Sequence, residues 1–183
     1  MRQNTPWEVT DQNGEKKIIW EDRSLATALF AFTKDKNGYW RVLSIKRGRG
    51  CPDYIGDWCV PCGYLDYNET LRNAAYRECK EETGVMLSEN RFKFLTIVDE
   101  PSENNQTVTA LFYTIVENGF DYSFTNRYNE PNEVDEIAWI RLDLLDNFSW
   151  AFSHKEVIKR IYINVINIPW WKKVLIKLTQ KYL

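Results

Sequence analysis

The pattern of apolar and polar positions changes period several times along this chain, and each change marks an element. Residues 24–33 are almost all small or apolar, and Tyr39 to Lys46 alternates; the turn sequence Lys34-Asp-Lys-Asn-Gly38 between them predicts a β-hairpin. Arg47 to Asp57 breaks the pattern with three Gly, one Pro and two Arg, so it reads as a loop, and Trp58 to Pro61 reads as a short strand. Residues 91–98 and 107–117 predict a second strand pair around the polar loop 99–106. An acidic loop, Arg127 to Glu136, then leads into a strand over Ile137–Leu142.

Two stretches switch to the helical period. Leu71, Ala74, Ala75 and Cys79 form an apolar stripe that can lie on a sheet, with Asn68 as N-cap, Glu69 in the first turn and Gly84 at a left-handed C-cap. Ser153-His-Lys-Glu156 has the capping-box spacing and opens a helix whose Val157, Ile158, Ile161, Tyr162, Val165 and Ile166 share one face. Pro169 interrupts that helix and suits the first turn of another, with Trp170, Trp171, Val174, Leu175 and Leu178 opposite Lys172, Lys173, Lys177 and Lys181. Residues 155–183 carry seven Lys or Arg against one Glu, a net +6, which leaves −8 on the rest of a chain whose total is −2. A basic amphipathic helix with tryptophans can dock on an anionic membrane, but covering the domain or a seam with a twin subunit is the commoner use of such a face.

The first helix carries the chemistry. Glu78, Glu81 and Glu82 stand at i, i+3 and i+4 and so crowd one face. Like charges at that spacing oppose a helix by about 0.2–0.5 kcal/mol per pair. A hard divalent cation such as Mg²⁺ or Mn²⁺ removes the conflict, because it takes carboxylate oxygens as ligands. Arg77 lies beside this face and can pair with Glu69, holding the other carboxylates in place.

The pattern Gly63-x5-Glu69-x7-Arg77-Glu78-Cys79-x-Glu81-Glu82-x-Gly84-Val85 resembles the Nudix box of the Nudix hydrolases. Two positions depart from it: Cys79 stands where a bulky aliphatic is usual, and Cys62 where many members have the first Gly of a pair. The resemblance covers roughly residues 24–145 of a single domain spanning 1–183, with amphipathic helices over 154–183. It implies an α/β/α sandwich, a mixed sheet with helices on both faces and the box as a loop–helix–loop. It further implies Mg²⁺- or Mn²⁺-dependent hydrolysis of a nucleoside diphosphate linked to another moiety, with Glu78, Glu81 and Glu82 as metal ligands and Arg77 orienting them. An ADP-ribose-like or nucleotide-sugar substrate is the first expectation; a Nudix-like sensor that binds a nucleotide without cleaving it is the alternative. Relatives often draw a general base from a late loop; here Glu133 is the preferred residue and Glu136, at the strand edge, the runner-up. Trp150-Ala-Phe-Ser-His154 is similar to a segment that follows the catalytic domain in some relatives.

Composition adds limits. With 44% hydrophobic and 15% aromatic residues in 183, the chain can bury the core of one ordered domain. No apolar run approaches the ~20 residues that span a bilayer, and Met1 to Lys17 has no secretory core, which points to the cytoplasm. Cys59-Val-Pro-Cys62 has metal-pair spacing, but one pair is half a zinc site and the single histidine, His154, is remote in sequence, so reduced structural cysteines are expected. Arg23, Arg47 and Arg49 are candidate phosphate ligands, since the guanidinium fork matches a phosphate. Trp20, Trp58 and Tyr64 are candidates to stack on a base, although aromatics beside strands more often fill the core. Asp99 to Glu103 reads as a solvated turn or a substrate loop. The expected partner is a small-molecule nucleotide, not a nucleic acid.

Overall fold

The computed structural model describes residues 6–10, 12–20, 23–101, 106–125 and 132–167. Strands β1 (Pro6–Thr10) and β2 (Lys16–Trp20) pair antiparallel as a small separate sheet, a hairpin that the polar N-terminal pattern does not announce. The predicted hairpin forms from β3 (Leu25–Lys34) and β4 (Trp40–Arg47). Asp35 closes its turn, its carboxylate accepting the Asn37 and Tyr39 N–H groups at 3.0 and 2.9 Å.

β3 is the centre of the molecule. It runs parallel to β8 (Val108–Ile115) and antiparallel to β4, so the sheet is mixed; β7 (Lys93–Val98) closes one edge beside β8, and β9 (Val134–Arg141) lies against β4. Because both faces of β3 are covered, its sequence is an unbroken apolar run in which the alternation is hidden. Ala28, Phe30 and Phe32 point to one core layer and Leu29 and Ala31 to the other. Helix α1 (Leu71–Thr83) packs Ala75 and Cys79 on the second layer; α2 (His154–Ile161) packs Val157, Ile158 and Ile161 on the first. The expected α/β/α arrangement results.

The sheet is split where the chemistry sits. β4 meets β3 only from Val42↔Phe32 to Trp40↔Lys34; farther along, β4 pairs with β5 (Trp58–Cys59) and β3 with β6 (Cys62–Tyr64). Val60 and Pro61 step across the gap, and the Leu29 N–H donates to the Pro61 carbonyl at 2.9 Å. β6 then delivers the chain to α1.

Several boundaries differ from the sequence reading. The N-cap of α1 is Thr70, whose hydroxyl accepts the Asn73 N–H at 3.2 Å; Asn68 takes a left-handed turn (φ 64°) instead, so Glu69 precedes the helix and is free to face Arg77. Gly84 does cap the other end with φ 73°, its N–H donating to the Lys80 carbonyl. β9 begins three residues earlier than expected, so Asp135 and Glu136 belong to a strand. Ser153 occupies the N-cap of α2 without a side-chain hydrogen bond there, and Lys155 and Lys159 instead tie the helix to Asp146 at 3.5 and 2.7 Å. After α2 the chain widens into a π turn, Tyr162–Ile166. Pro169, the Trp170-Trp171 pair and the basic face beyond lie outside the described residues. Among the described residues no helix is long and apolar enough to cross a membrane.

Candidate active site

Arg77 is the hub of the site. Its Nε donates to Glu69 at 2.8 Å, Nη1 to Glu78 at 2.7 Å and Glu81 at 3.0 Å, and Nη2 to the Tyr64 carbonyl at 2.8 Å. One guanidinium therefore links the segment before α1, two carboxylates on one face of the helix and β6, and offsets the like-charge conflict along the helix. Burial opposes its charge, but the hydrogen bonds it donates to Glu69 and Glu78 and the charge of Glu78 outweigh that and hold it protonated above its ordinary value. Arg77→Ala removes this positioning but no ligand, so turnover should fall about 10–100-fold, the usual effect of losing a residue that orients metal ligands. The check is kcat across a Mg²⁺ titration, where the apparent metal affinity should weaken in parallel.

Glu82 is the buried carboxylate of the helix and Glu78 is half-buried. Glu78 packs against Gly63, where any Cβ would overlap its carboxyl group, which explains the glycine in the pattern. Burial, only partly countered by Arg77, raises Glu78 to about 7. Glu82 is 8% exposed and accepts the Cys62 N–H at 3.0 Å; burial pushes it well above the usual carboxylate range. Glu133 adds to both shifts, so its charge lies within reach of these two groups although it is some fifty positions later.

Glu133 is brought there by the Gly-rich loop. The Gly48 N–H donates to the Glu133 carbonyl at 2.7 Å, the Gly50 N–H to the Asn132 carbonyl at 2.8 Å, and the Cys51 thiol to the Glu133 carbonyl at 3.3 Å. A Cβ at Gly48 would overlap the Asn132 carbonyl oxygen. The glycines of the loop Arg47 to Asp57, marked in the sequence by Gly48-Arg-Gly50, make a backbone brace in addition to the phosphate-ligand role expected of Arg47 and Arg49. Glu136 has a different role. It sits opposite Lys46 in the β4–β9 register and pairs with it at 2.7 Å.

Three other candidates are placed less favourably. Arg47 is buried, its Nε and Nη2 donating to the Asp53 carbonyl and carboxylate at 3.0 and 2.6 Å, with the guanidinium over Phe152. Trp58 is 8% exposed, its ring in the core cluster and T-shaped to Phe148. Arg23 donates to the Gln106 carbonyl at 2.8 Å. Arg49 is exposed on the Gly-rich loop, and Tyr64 is exposed beside Arg77. The ring of Trp20 lies outside the described residues.

The donors suit a divalent hard cation. All are carboxylate oxygens, and two carry raised proton affinities that a cation would replace. Glu78 and Glu81 share Arg77 Nη1, so a cation competes with that guanidinium for them. A linkage follows. Groups whose folded pKa is raised stabilise the protein fully below their unfolded value, near 4.5, and lose that contribution as pH rises through the folded value, about 7 for Glu78 and likewise raised for Glu82. Mg²⁺ should therefore raise the melting temperature more at about pH 8 than at about pH 5.5, where protons occupy the site. His154, held neutral by burial at about 3, contributes with the opposite sign: its stabilisation is present above 6.5 and lost as pH falls. Comparing melting with and without Mg²⁺ at each pH cancels that second effect; an equal Mg²⁺ increment at both would contradict the carboxylate assignment.

The NUDIX domain matches residues 22–161, and the chain belongs to the Nudix family. It is a Nudix-type pyrophosphohydrolase. It is 28% identical over 123 residues to an RNA pyrophosphohydrolase of Bartonella henselae, covering 60% of this chain and 68% of that protein. The fold resembles the NUDIX domain of Shewanella oneidensis NrtR complexed with ADP ribose, with TM-score 0.66 and 19% identity over 79% of this chain and 90% of that one. A MutT/nudix family protein from Enterococcus faecalis gives TM-score 0.65 and 20% identity over 85% and 68%. A C. elegans Ap4A hydrolase gives TM-score 0.60 and 15% identity over 79% and 99%. These structural likenesses speak for the fold alone.

Proposed function

We propose that this protein hydrolyses the pyrophosphate bond of a nucleoside diphosphate linked to another moiety, of the ADP-ribose or nucleotide-sugar class, with Mg²⁺ or Mn²⁺ held by Glu78, Glu81 and Glu82. The observation that carries this reading is the Arg77 array, which orders those carboxylates beside a glycine cleared for Glu78. When bound, the cation neutralises phosphate oxygens and makes water a better nucleophile. The chain's own residues do the remainder. Arg77 orients the carboxylates, Glu133 accepts the proton of the attacking water, and Arg49 offers its fork to a phosphate from the exposed loop. Tyr64, exposed beside Arg77, offers a face to a base or sugar. The four free cysteines suit the reducing cytoplasm, where we place the protein.

The test is phosphate and nucleotide release from a panel that holds ADP-ribose, nucleotide sugars, dinucleoside polyphosphates and 5′-triphosphorylated RNA, with Mg²⁺ or Mn²⁺. The curated relative's name is the reason for the RNA. Preferential cleavage of ADP-ribose or a nucleotide sugar supports the proposal. Preferential cleavage of RNA would keep the reaction and replace the substrate class, while tight nucleotide binding without turnover would favour a sensor.

A further inference from the structure

The fold closes the sequence distance that set a zinc site aside. One ligand atom each from Cys59, Cys62 and His154 lie within 4.8 Å of one another. We propose that these three side chains form a second metal site, for a thiophilic ion of the zinc class, behind the hydrolytic carboxylates. Tetrahedral zinc, with bonds of about 2.3 Å to sulfur and 2.0–2.1 Å to nitrogen, sets sulfur–sulfur and sulfur–nitrogen separations of about 3.5–3.8 Å, so the group needs only a small contraction.

The ligands are held before any ion arrives. Cys59 is fixed opposite Ile45 on β4 and Cys62 opposite Ala28 on β3, so the pair bridges the split in the sheet. The segment before α2 is strapped to the same place: the Trp58 N–H donates to the Ser149 carbonyl at 2.9 Å and the Ala151 N–H to the Trp58 carbonyl at 2.8 Å. His154 follows, its ring wedged between Phe30 and Phe152 at centroid distances of 5.4 and 5.1 Å. Its Nδ1 accepts the Val60 N–H at 3.2 Å, so the lone pair already faces the Cys59–Cys62 loop. An ion that takes this nitrogen exchanges one long neutral hydrogen bond for a metal bond.

Ligand chemistry separates this site from the carboxylates. Two thiols and an imidazole select zinc-like ions over Mg²⁺, whereas all-oxygen carboxylate ligands suit Mg²⁺ and Mn²⁺. Binding turns two thiols into thiolates, the S–H protons leave to solvent, and the two negative charges balance the dication. The neighbouring Cys59 and burial hold the Cys62 thiol well above its ordinary value and Arg47 only partly opposes this, so the bound ion itself must drive the proton off. Three protein ligands leave a fourth position for water. Cys62 belongs to both sites, its sulfur in this one and its N–H on Glu82 in the other. This is also where the sequence departs from the usual glycine of the Nudix pattern.

The test uses the reduced full chain with excess Mg²⁺ present to hold the carboxylates, titrated with Co²⁺ and then Zn²⁺. The expected result is a near-ultraviolet thiolate-to-cobalt band that saturates at one ion per chain and is bleached by Zn²⁺. Cys59→Ser and Cys62→Ser, each close in size to the native residue, should abolish the band, while Glu82→Gln should keep it. Absence of the band in the reduced wild type, or its persistence in both serine variants, overturns the site. Recovery of a Cys59–Cys62 disulfide that takes up no zinc after reduction overturns it equally.

Discussion

Glu82→Gln is expected to lower turnover by about 10³-fold or more while the fold survives. Losing one charged ligand of a catalytic cation forfeits several kcal/mol of transition-state stabilisation, and about 4 kcal/mol corresponds to that factor. The substitution is close to isosteric, and the amide carbonyl of the new side chain can still accept the Cys62 N–H that Glu82 now accepts at 3.0 Å. It also removes a buried carboxylate whose ionisation burial disfavours. In chelator at neutral or alkaline pH the variant should therefore melt no lower than the wild type. The two readouts separate the explanations: lost turnover with a retained melting temperature assigns a ligand, whereas lost turnover with a lowered one assigns only a structural residue. Near wild-type turnover at limiting Mg²⁺ would falsify the assignment.

Glu133→Gln is expected to lower the maximal rate by about 10²-fold, the lower end of what a general base contributes. Its position rests on hydrogen bonds from the Gly48 N–H and the Cys51 thiol to its own carbonyl, so the amide variant keeps the loop in place. Loss of a base should also flatten the acidic limb of the pH–rate profile, which loss of simple electrostatic attraction would leave in place. Glu136→Gln serves as the control. That carboxylate is paired with Lys46 on an exposed strand position, so a change within a few-fold is expected. If neither variant falls by about tenfold, the base lies within the box helix.

The elements that local pattern can specify were legible in the chain. The turn at Asp35 announces its hairpin because a carboxylate accepting the N–H groups of residues two and four positions on is a local device. Gly84 announces the end of α1 because a left-handed cap is nearly glycine's alone. The N-cap was misplaced by two residues because Asn68 and Thr70 are both good caps, and only the turn geometry decides between a left-handed Asn and a capping Thr. β9 was read short because Asp135 and Glu136 are polar; pairing with β4 and a lysine partner across the strand outweigh their poor strand propensity. The burial of Trp58 and Arg47 was not legible in the chain, because it depends on which elements the fold packs around them.

By itself the sequence determined the acidic face of α1, its arginine hub and the family, since spacings of one, three and four residues on a helix need no tertiary information. What joins residues far apart along the chain was decided by tertiary structure alone. Gly48 and Gly50 brace Glu133 because β9 enters the sheet beside β4; Cys59, Cys62 and His154 converge because the sheet splits and the strap before α2 crosses that split. Such contacts depend on sheet order and on where strands diverge, and nothing local to any of the segments encodes either.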